Sequence, residues 1–152
     1  MDFIEGLPPS NNKNSILLVV DRFSKSAHFL AFSHLYTKKV VAEKSIEGVV
    51  KLHGMPQSII SDCDLVFTSH FLREFFKMSG TQLKMSSPYH PQTDGQMKVV
   101  NCCTEQYLQC VAYRRPRQWH SFLPWAKFWY NSTYHASTRM TPFQALHGRP
   151  HQ

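Results

Sequence analysis

The sequence holds no apolar run near the roughly 18–20 residues that a membrane-spanning helix requires, and no basic segment backed by an apolar stretch opens it. These absences argue against a membrane span and a secretory signal, and predict an intracellular protein of the nucleus or cytoplasm. Its 4 cysteines, Cys63, Cys102, Cys103 and Cys110, include no Cys-x-x-Cys pair. That spacing argues against a zinc knuckle or a disulfide framework and for free thiols in a reducing compartment. Without a secretory signal, the Asn131-Ser132-Thr133 sequon reads as incidental. Repeats, low-complexity tracts and long linkers are also missing, so the 152 residues predict one domain over 1–150. Acidic residues are few: 10 Asp and Glu face 17 Lys and Arg, a net charge of +7. The surplus favours an anionic partner, DNA ahead of an anionic membrane surface. Neither a membrane nor a small-molecule substrate is expected.

What is present alternates between two periods. Residues 1–6 read as a short strand, turned by Pro8, Pro9, Ser10 and Asn11. Ile16 to Asp21 is a continuous apolar, β-branched run, the mark of a central strand covered on both faces. Ala27 to Phe32 returns as a third strand, completing an antiparallel meander. From Thr37 to His53 the spacing of Val40, Val41, Ile46, Val49, Val50 and Leu52 predicts a helix closed by Gly54, with Gly48 inside it costing about 1 kcal/mol relative to Ala. Gln57 to Ser61 predicts a fourth strand, and Phe71, Leu72, Phe75, Phe76 and Met78 a helix stopping at Gly80. Gln82 to Met85 predicts a fifth strand. Trp119, Phe122, Leu123, Ala126, Trp129 and Tyr130 form a helical stripe that reads as core, with Pro124 kinking it or lying in its first turns. A last short helix is expected over Thr141 to Leu146. This order predicts an α/β fold with a mixed five-stranded sheet, three antiparallel strands then two more, and helices on both faces. In such sheets sites lie at the carboxyl ends of strands.

The most informative stretch is Tyr89 to Asn101, a Pro/Gly-marked loop leading into a helix. Thr93 and Gln96 match a capping box, which predicts a helix start near Asp94. Met97, Val100, Tyr107, Leu108 and Val111 mark its buried stripe. Lys98 lies off that stripe, in the first turns, where the helix macrodipole favours a carboxylate over a cation. Beyond this helix, Arg114, Arg115 and Arg117 form a basic cluster around Pro116.

Asp2 and Asp62, on the first strand and at the end of the fourth, are acids that strand order could bring together. Met-Asp-Phe-Ile-Glu-Gly-Leu-Pro from Met1, Val-Val-Asp-Arg-Phe-Ser-Lys from Val19 and Ser-Asp-Cys-Asp-Leu-Val-Phe-Thr-Ser from Ser61 are three of six ordered motifs. The others are Tyr-His-Pro-Gln-Thr-Asp-Gly-Gln from Tyr89, Phe-Trp-Tyr-Asn-Ser-Thr-Tyr-His from Phe128 and Met-Thr-Pro-Phe-Gln-Ala-Leu-His-Gly-Arg-Pro from Met140. Together they resemble the integrase catalytic core of gypsy-class long-terminal-repeat retrotransposons, along nearly the whole chain.

The resemblance implies a ribonuclease-H-like fold, a polynucleotidyl transferase that processes 3′ ends of element DNA and joins them to target DNA, and an Asp, Asp, Glu triad holding Mg²⁺ or Mn²⁺. It also implies a homodimer or higher multimer. Carried over residue by residue, Asp2 is the first acid and Asp62 the second, both metal ligands. The third, separated from Asp62 by 35 intervening residues, falls on Lys98, where the family has Glu. Cys63 and Cys102 stand where related sequences commonly carry Arg, and both kinds of change fit an accumulating lesion. An ammonium offers no lone pair to a metal, so weak or absent metal binding and impaired catalysis are expected. Lys98 is expected instead to pair with Asp2 and Asp62. Glu105, seven residues on, lies about 10 Å along the axis and cannot substitute. The resemblance places His90 and Gln92 toward the DNA end; by their charge, Lys98, Arg114, Arg115 and Arg117 are expected as further nucleic-acid contacts. Asp21 and Asp64 read as structural or solvated rather than as metal ligands. The zinc-binding and C-terminal domains that flank such cores are not among these residues. The alternative is a non-catalytic DNA-binding or multimerisation remnant, or a host-adopted interaction module.

Overall fold

Ile16, Leu17 and Leu18 are consecutive, and each is wholly excluded from solvent. A strand sends successive side chains to opposite faces, so such a run needs cover on both sides. The computed structural model, which describes residues 1–33, 36–61, 70–85 and 91–149, supplies it. Strand β1 (Asp2–Ile4) pairs antiparallel with β2 (Ser15–Val20), with Asp2 opposite Leu18, and β2 pairs antiparallel with β3 (Ala27–Phe32). Strands β4 (Ser58–Ser61) and β5 (Gln82–Met85) pair in parallel. The Met1 nitrogen donates to the Ile60 carbonyl at 2.6 Å, which sets the start of β1 beside the end of β4.

Two helical layers enclose this arrangement. On one face Ile16 and Leu18 meet Val100, Leu108 and Ala112 of α4 (Pro91–Ala112) and Trp119, Leu123, Ala126 and Tyr130 of α5 (Trp119–Ser132). On the other, Leu17 meets Val41 and Ala42 of α1 (Lys38–Ser45) and Leu72 and Phe76 of α3 (His70–Met78). The strand's alternation therefore splits neighbouring residues between two cores. The expected meander, its central strand and both later strands are all present.

Helix boundaries depart in places. The stretch after α1 passes through a π turn (Ile46–Val50) and a final turn, α2 (Lys51–His53), before Gly54 adopts a φ of +78°. Gly48 sits in the π turn, where a Cβ would lie 2.6 Å from the Leu30 Cδ2. The close approach of this segment to β3 accounts for a residue that is unfavourable in helices. Ile46, Leu52 and Met78, expected on buried stripes, are exposed, because the π turn and the helix ends rotate those positions off the core face. Helix α4 begins at Pro91, three residues before the expected start, so Thr93 and Gln92 lie within it and the Thr93 box is not its entry. A proline suits a first helical position, since its missing N–H would have no partner there.

The last helix, α6 (Pro142–His147), uses the same Thr-x-x-Gln signature: Gln144 N–H donates to Thr141 Oγ1 and Thr141 N–H to Gln144 Oε1, each at 3.1 Å. Thr141→Ala is expected to cost about 1 kcal/mol, lowering the melting temperature by roughly 2–4 °C. Differential scanning calorimetry of the variant checks it.

Candidate functional site

Asp2 sits where β1 emerges beside β4. One carboxylate oxygen, Oδ1, accepts the Phe3 N–H at 2.8 Å, and the other, Oδ2, accepts the Asn101 amide Nδ2 at 2.5 Å. Asn101 lies one turn after Lys98 on α4, so the two share a helix face, displaced by roughly 4.5 Å along the axis. The hydrogen bond thus turns the Lys98 face toward the first acid. On Asp2 the amide of Asn101 meets the carboxylate; the expected pairing of Lys98 with Asp62 falls outside the described residues. Asn101 Oδ1 is buried and accepts no hydrogen bond among the described residues. Sequence reasoning passed over Asn101, although its three-residue spacing from position 98 marks it as a neighbour of that site.

Lys98 is exposed and stands about two turns into α4. With the helix starting at Pro91, it is farther from the positive end of the macrodipole than expected, and that interaction fades within the first turn. Asp62 and Asp64, Cys63 and His90 fall outside the described residues, as does the side chain of Gln92. Buried Ser61 ends β4, whose Ile60 carbonyl meets the start of β1. Glu105 is exposed farther along α4. Arg114, Arg115 and Arg117 are exposed where α4 gives way to a 3₁₀ turn (Pro116–Gln118). That cluster and Lys98 occupy opposite ends of the helix, roughly 20 Å apart, so they do not form one compact patch. Cys102, Cys103 and Cys110 are free thiols on α4.

A cleft of about 650 Å³ opens beside Asp2, reaching Asp21, Arg22, His28 and His53. Asp21 is structural, as expected: burial works to raise its pKa, yet hydrogen bonds from Ser24 Oγ (2.6 Å) and Ser24 N–H (2.9 Å) outweigh it and hold it below the usual value. The unexpected group is buried His28, whose Nδ1 lies 3.0 Å from the Lys127 Nζ and whose Nε2 lies 2.9 Å from the His53 Nε2. An ammonium donates to Nδ1, so the His28 proton sits on Nε2 and is given to His53. The signal was present in sequence: His28 interrupts an apolar strand, and Lys127 falls among the inward positions 123, 126 and 130.

Burial, then Lys127, then His53 push His28 from the ordinary 6.5 down to about 4. The folded state therefore binds fewer protons than the unfolded chain between those values. The resulting stability is complete above pH 6.5 and is lost as pH falls toward 4, by about 3 kcal/mol at 1.36 kcal/mol per unit. Urea unfolding at pH 7 and pH 4.5 checks this, with His28→Gln expected to remove that acid-sensitive component.

No family model matches the sequence. Over 147 residues, 97% of the chain, it is 37% identical to the transposon Tf2-3 polyprotein of Schizosaccharomyces pombe, and equally so to the Tf2-4 polyprotein. The chain spans 11% of the length of those relatives. Its fold is similar to that of a chain in the simian T-cell lymphotropic virus intasome in complex with PP2A regulatory subunit B56 gamma, with a TM-score of 0.78 and 17% identity over 96% of this chain and 53% of that one. It is also similar to the HTLV-2 integrase catalytic core domain in complex with magnesium, in a trimeric form, with a TM-score of 0.71 and 16% identity over 96% of this chain and 94% of that one.

Proposed function

We propose that the chain, whose sequence is related to a segment of retrotransposon polyproteins and whose fold is similar to that of integrase catalytic cores, is an integrase-like core that binds DNA while its transfer chemistry is impaired by Lys98. The observation that carries the reading is the Asn101 to Asp2 hydrogen bond, which draws the helix face bearing Lys98 to the first acid. Asp62 is proposed as the second acid, and His90 and Gln92 as contacts to the DNA end.

A pair of divalent ions such as Mg²⁺ or Mn²⁺ needs carboxylate oxygens free to enter their shells. Here an ammonium stands where the third carboxylate would be, and it offers a metal no lone pair. A site short of that oxygen ligand is expected to hold divalent ions weakly. What the residues can do is hold a phosphate: Lys98 supplies a positive charge beside Asp2, and Arg114, Arg115 and Arg117 supply another about 20 Å away, a spacing that suits an extended duplex.

In this reading residues 1–150 act as one core domain in the nucleus or cytoplasm, and copies associate. Association is favoured by Trp125, Phe128 and Trp129, exposed aromatic residues at neighbouring helical positions on α5.

Two measurements test the proposal. Calorimetric titration of the chain with Mg²⁺ is expected to show no tight site, and a tight site abolished by Asp2→Asn would overturn it. Duplex DNA affinity is expected to fall steeply with salt, and replacing Arg114, Arg115 and Arg117 with alanine to flatten the slope by about one per lost phosphate contact. Salt-independent binding points instead to an interaction module.

A further inference from the structure

Strand β3 is an edge of its sheet, and its backbone has an open side. Asp21 N–H donates to the Ser26 carbonyl in register with the ladder, at 2.9 Å. Even-numbered residues of β3 therefore face β2, and Ala27, Phe29 and Ala31 present their N–H and C=O groups outward. Asn131 covers the first of these completely: its Oδ1 accepts the Ala27 N–H at 2.8 Å and its Nδ2 donates to the Ala27 carbonyl at 2.9 Å. Lys44 Nζ takes the Ala31 carbonyl at 2.9 Å. Between those two plugs, no hydrogen bond among the described residues engages the outward N–H and C=O of Phe29 or the N–H of Ala31.

This gap lies in a cavity of about 490 Å³ between the π turn and α5, lined by Lys13, Lys44, Lys127 and His120, with Glu47 the one carboxylate among the described residues that line it. Lysine stands at both ends, Lys44 on Ala31 and Lys127 on His28. Burial lowers the pKa of Lys44 and of Lys127; nearby Lys13 lowers Lys44 further, and Glu47 offsets this only in part.

We propose that this notch on β3 docks a short extended peptide carrying Asp or Glu, which adds to the sheet edge at Phe29 while its carboxylates meet Lys13, Lys44 and Lys127. Extended peptides bind sheet edges through main-chain hydrogen bonds, with side-chain contacts supplying selectivity. Here three backbone groups are available and the charge selects acid. The lysines also repel a second copy of the same edge, since edge lysines oppose self-pairing.

The test uses the whole chain and a fluorescein-labelled hexapeptide alternating glutamate and valine. Fluorescence anisotropy should show saturable binding, weakened about tenfold when glutamine replaces glutamate in the peptide, the loss of a charge-assisted hydrogen bond. Lys44→Gln should weaken it comparably. Because Lys44 also holds Ala31, Lys13→Gln provides a second variant, expected to melt like the parent and to bind several-fold more weakly. Hydrogen exchange read by NMR should slow at the Phe29 and Ala31 amides on peptide addition. The proposal is overturned if the peptide does not bind, if the glutamine peptide binds equally, or if Lys13→Gln changes nothing. It fails equally if the two amides exchange unchanged, if oligonucleotide displaces the peptide from the notch, or if sedimentation shows a dimer that buries this edge and excludes the peptide.

Discussion

Lys98→Glu is expected to raise the rate at which the chain joins element-end DNA to target DNA in the presence of Mg²⁺, by roughly a hundredfold or more. At about 5 Å and an effective dielectric near 20, an ammonium and a divalent ion repel by roughly 6–7 kcal/mol. If the lysine stem swings the charge away and halves that, about 3 kcal/mol remains, which is the hundredfold. Glutamate also adds the oxygen ligand that lysine lacks. Lys98→Gln separates the two effects, since it removes the charge without supplying a carboxylate; it should relieve metal exclusion while restoring little transfer. The measurement is a gel-based strand-transfer assay on labelled duplex, run alongside Mg²⁺ calorimetry for each protein. Full activity in the parent chain would sink the reading, and so would a Lys98→Glu variant that melts normally yet stays inert.

The largest stability effect should come from Trp119→Ala. Trp119 is 2% exposed, sits among Ile16, Leu18 and Leu123, and donates its indole N–H to the Pro8 carbonyl at 2.6 Å. Truncation leaves a cavity worth about 3–5 kcal/mol and strands a carbonyl, a further 1 kcal/mol or so. For a domain of this size the melting temperature should fall by roughly 10–15 °C. Trp125, on the same helix but 63% exposed, is the control: Trp125→Ala should change stability by no more than about 0.5 kcal/mol. Chemical denaturation of the three proteins checks the ordering. Equal losses from both tryptophans would contradict the burial that distinguishes them.

The contrast between those two residues bears on what could be read without coordinates. Both stand in one apolar helix, and the stripe through Trp119, Leu123, Ala126 and Tyr130 was legible because helical spacing sends those positions to one side. Trp129 was assigned to that stripe too, yet it is 40% exposed and stacks on Tyr107 at a centroid distance of 5.2 Å. Periodicity names a face but not its width. The two Thr-x-x-Gln signatures make a similar point: the one at Thr141 caps a helix, whereas the one at Thr93 is already inside α4. A capping motif competes with whatever else can start the helix, and Pro91 started it earlier.

At the site, the spacing from Asp62 to position 98 and the motifs around both were read from the chain alone. The partner of Asp2 was not. Asn101 meets it only because β1 and α4 pack across one core, joining residues 99 apart in sequence. The Lys127, His28 and His53 line has the same origin, in three separate elements that approach one another.

By itself the sequence determined the elements, because backbone preference and side-chain periodicity act over a few neighbouring residues. It also determined the charge surplus and the lysine at position 98, since both are properties of composition and order. Only the tertiary structure decided which polar groups meet across elements, which apolar residues stay wet and which backbone of β3 lies open. Those outcomes depend on how surfaces distant in the chain pack together, and no local window contains that geometry.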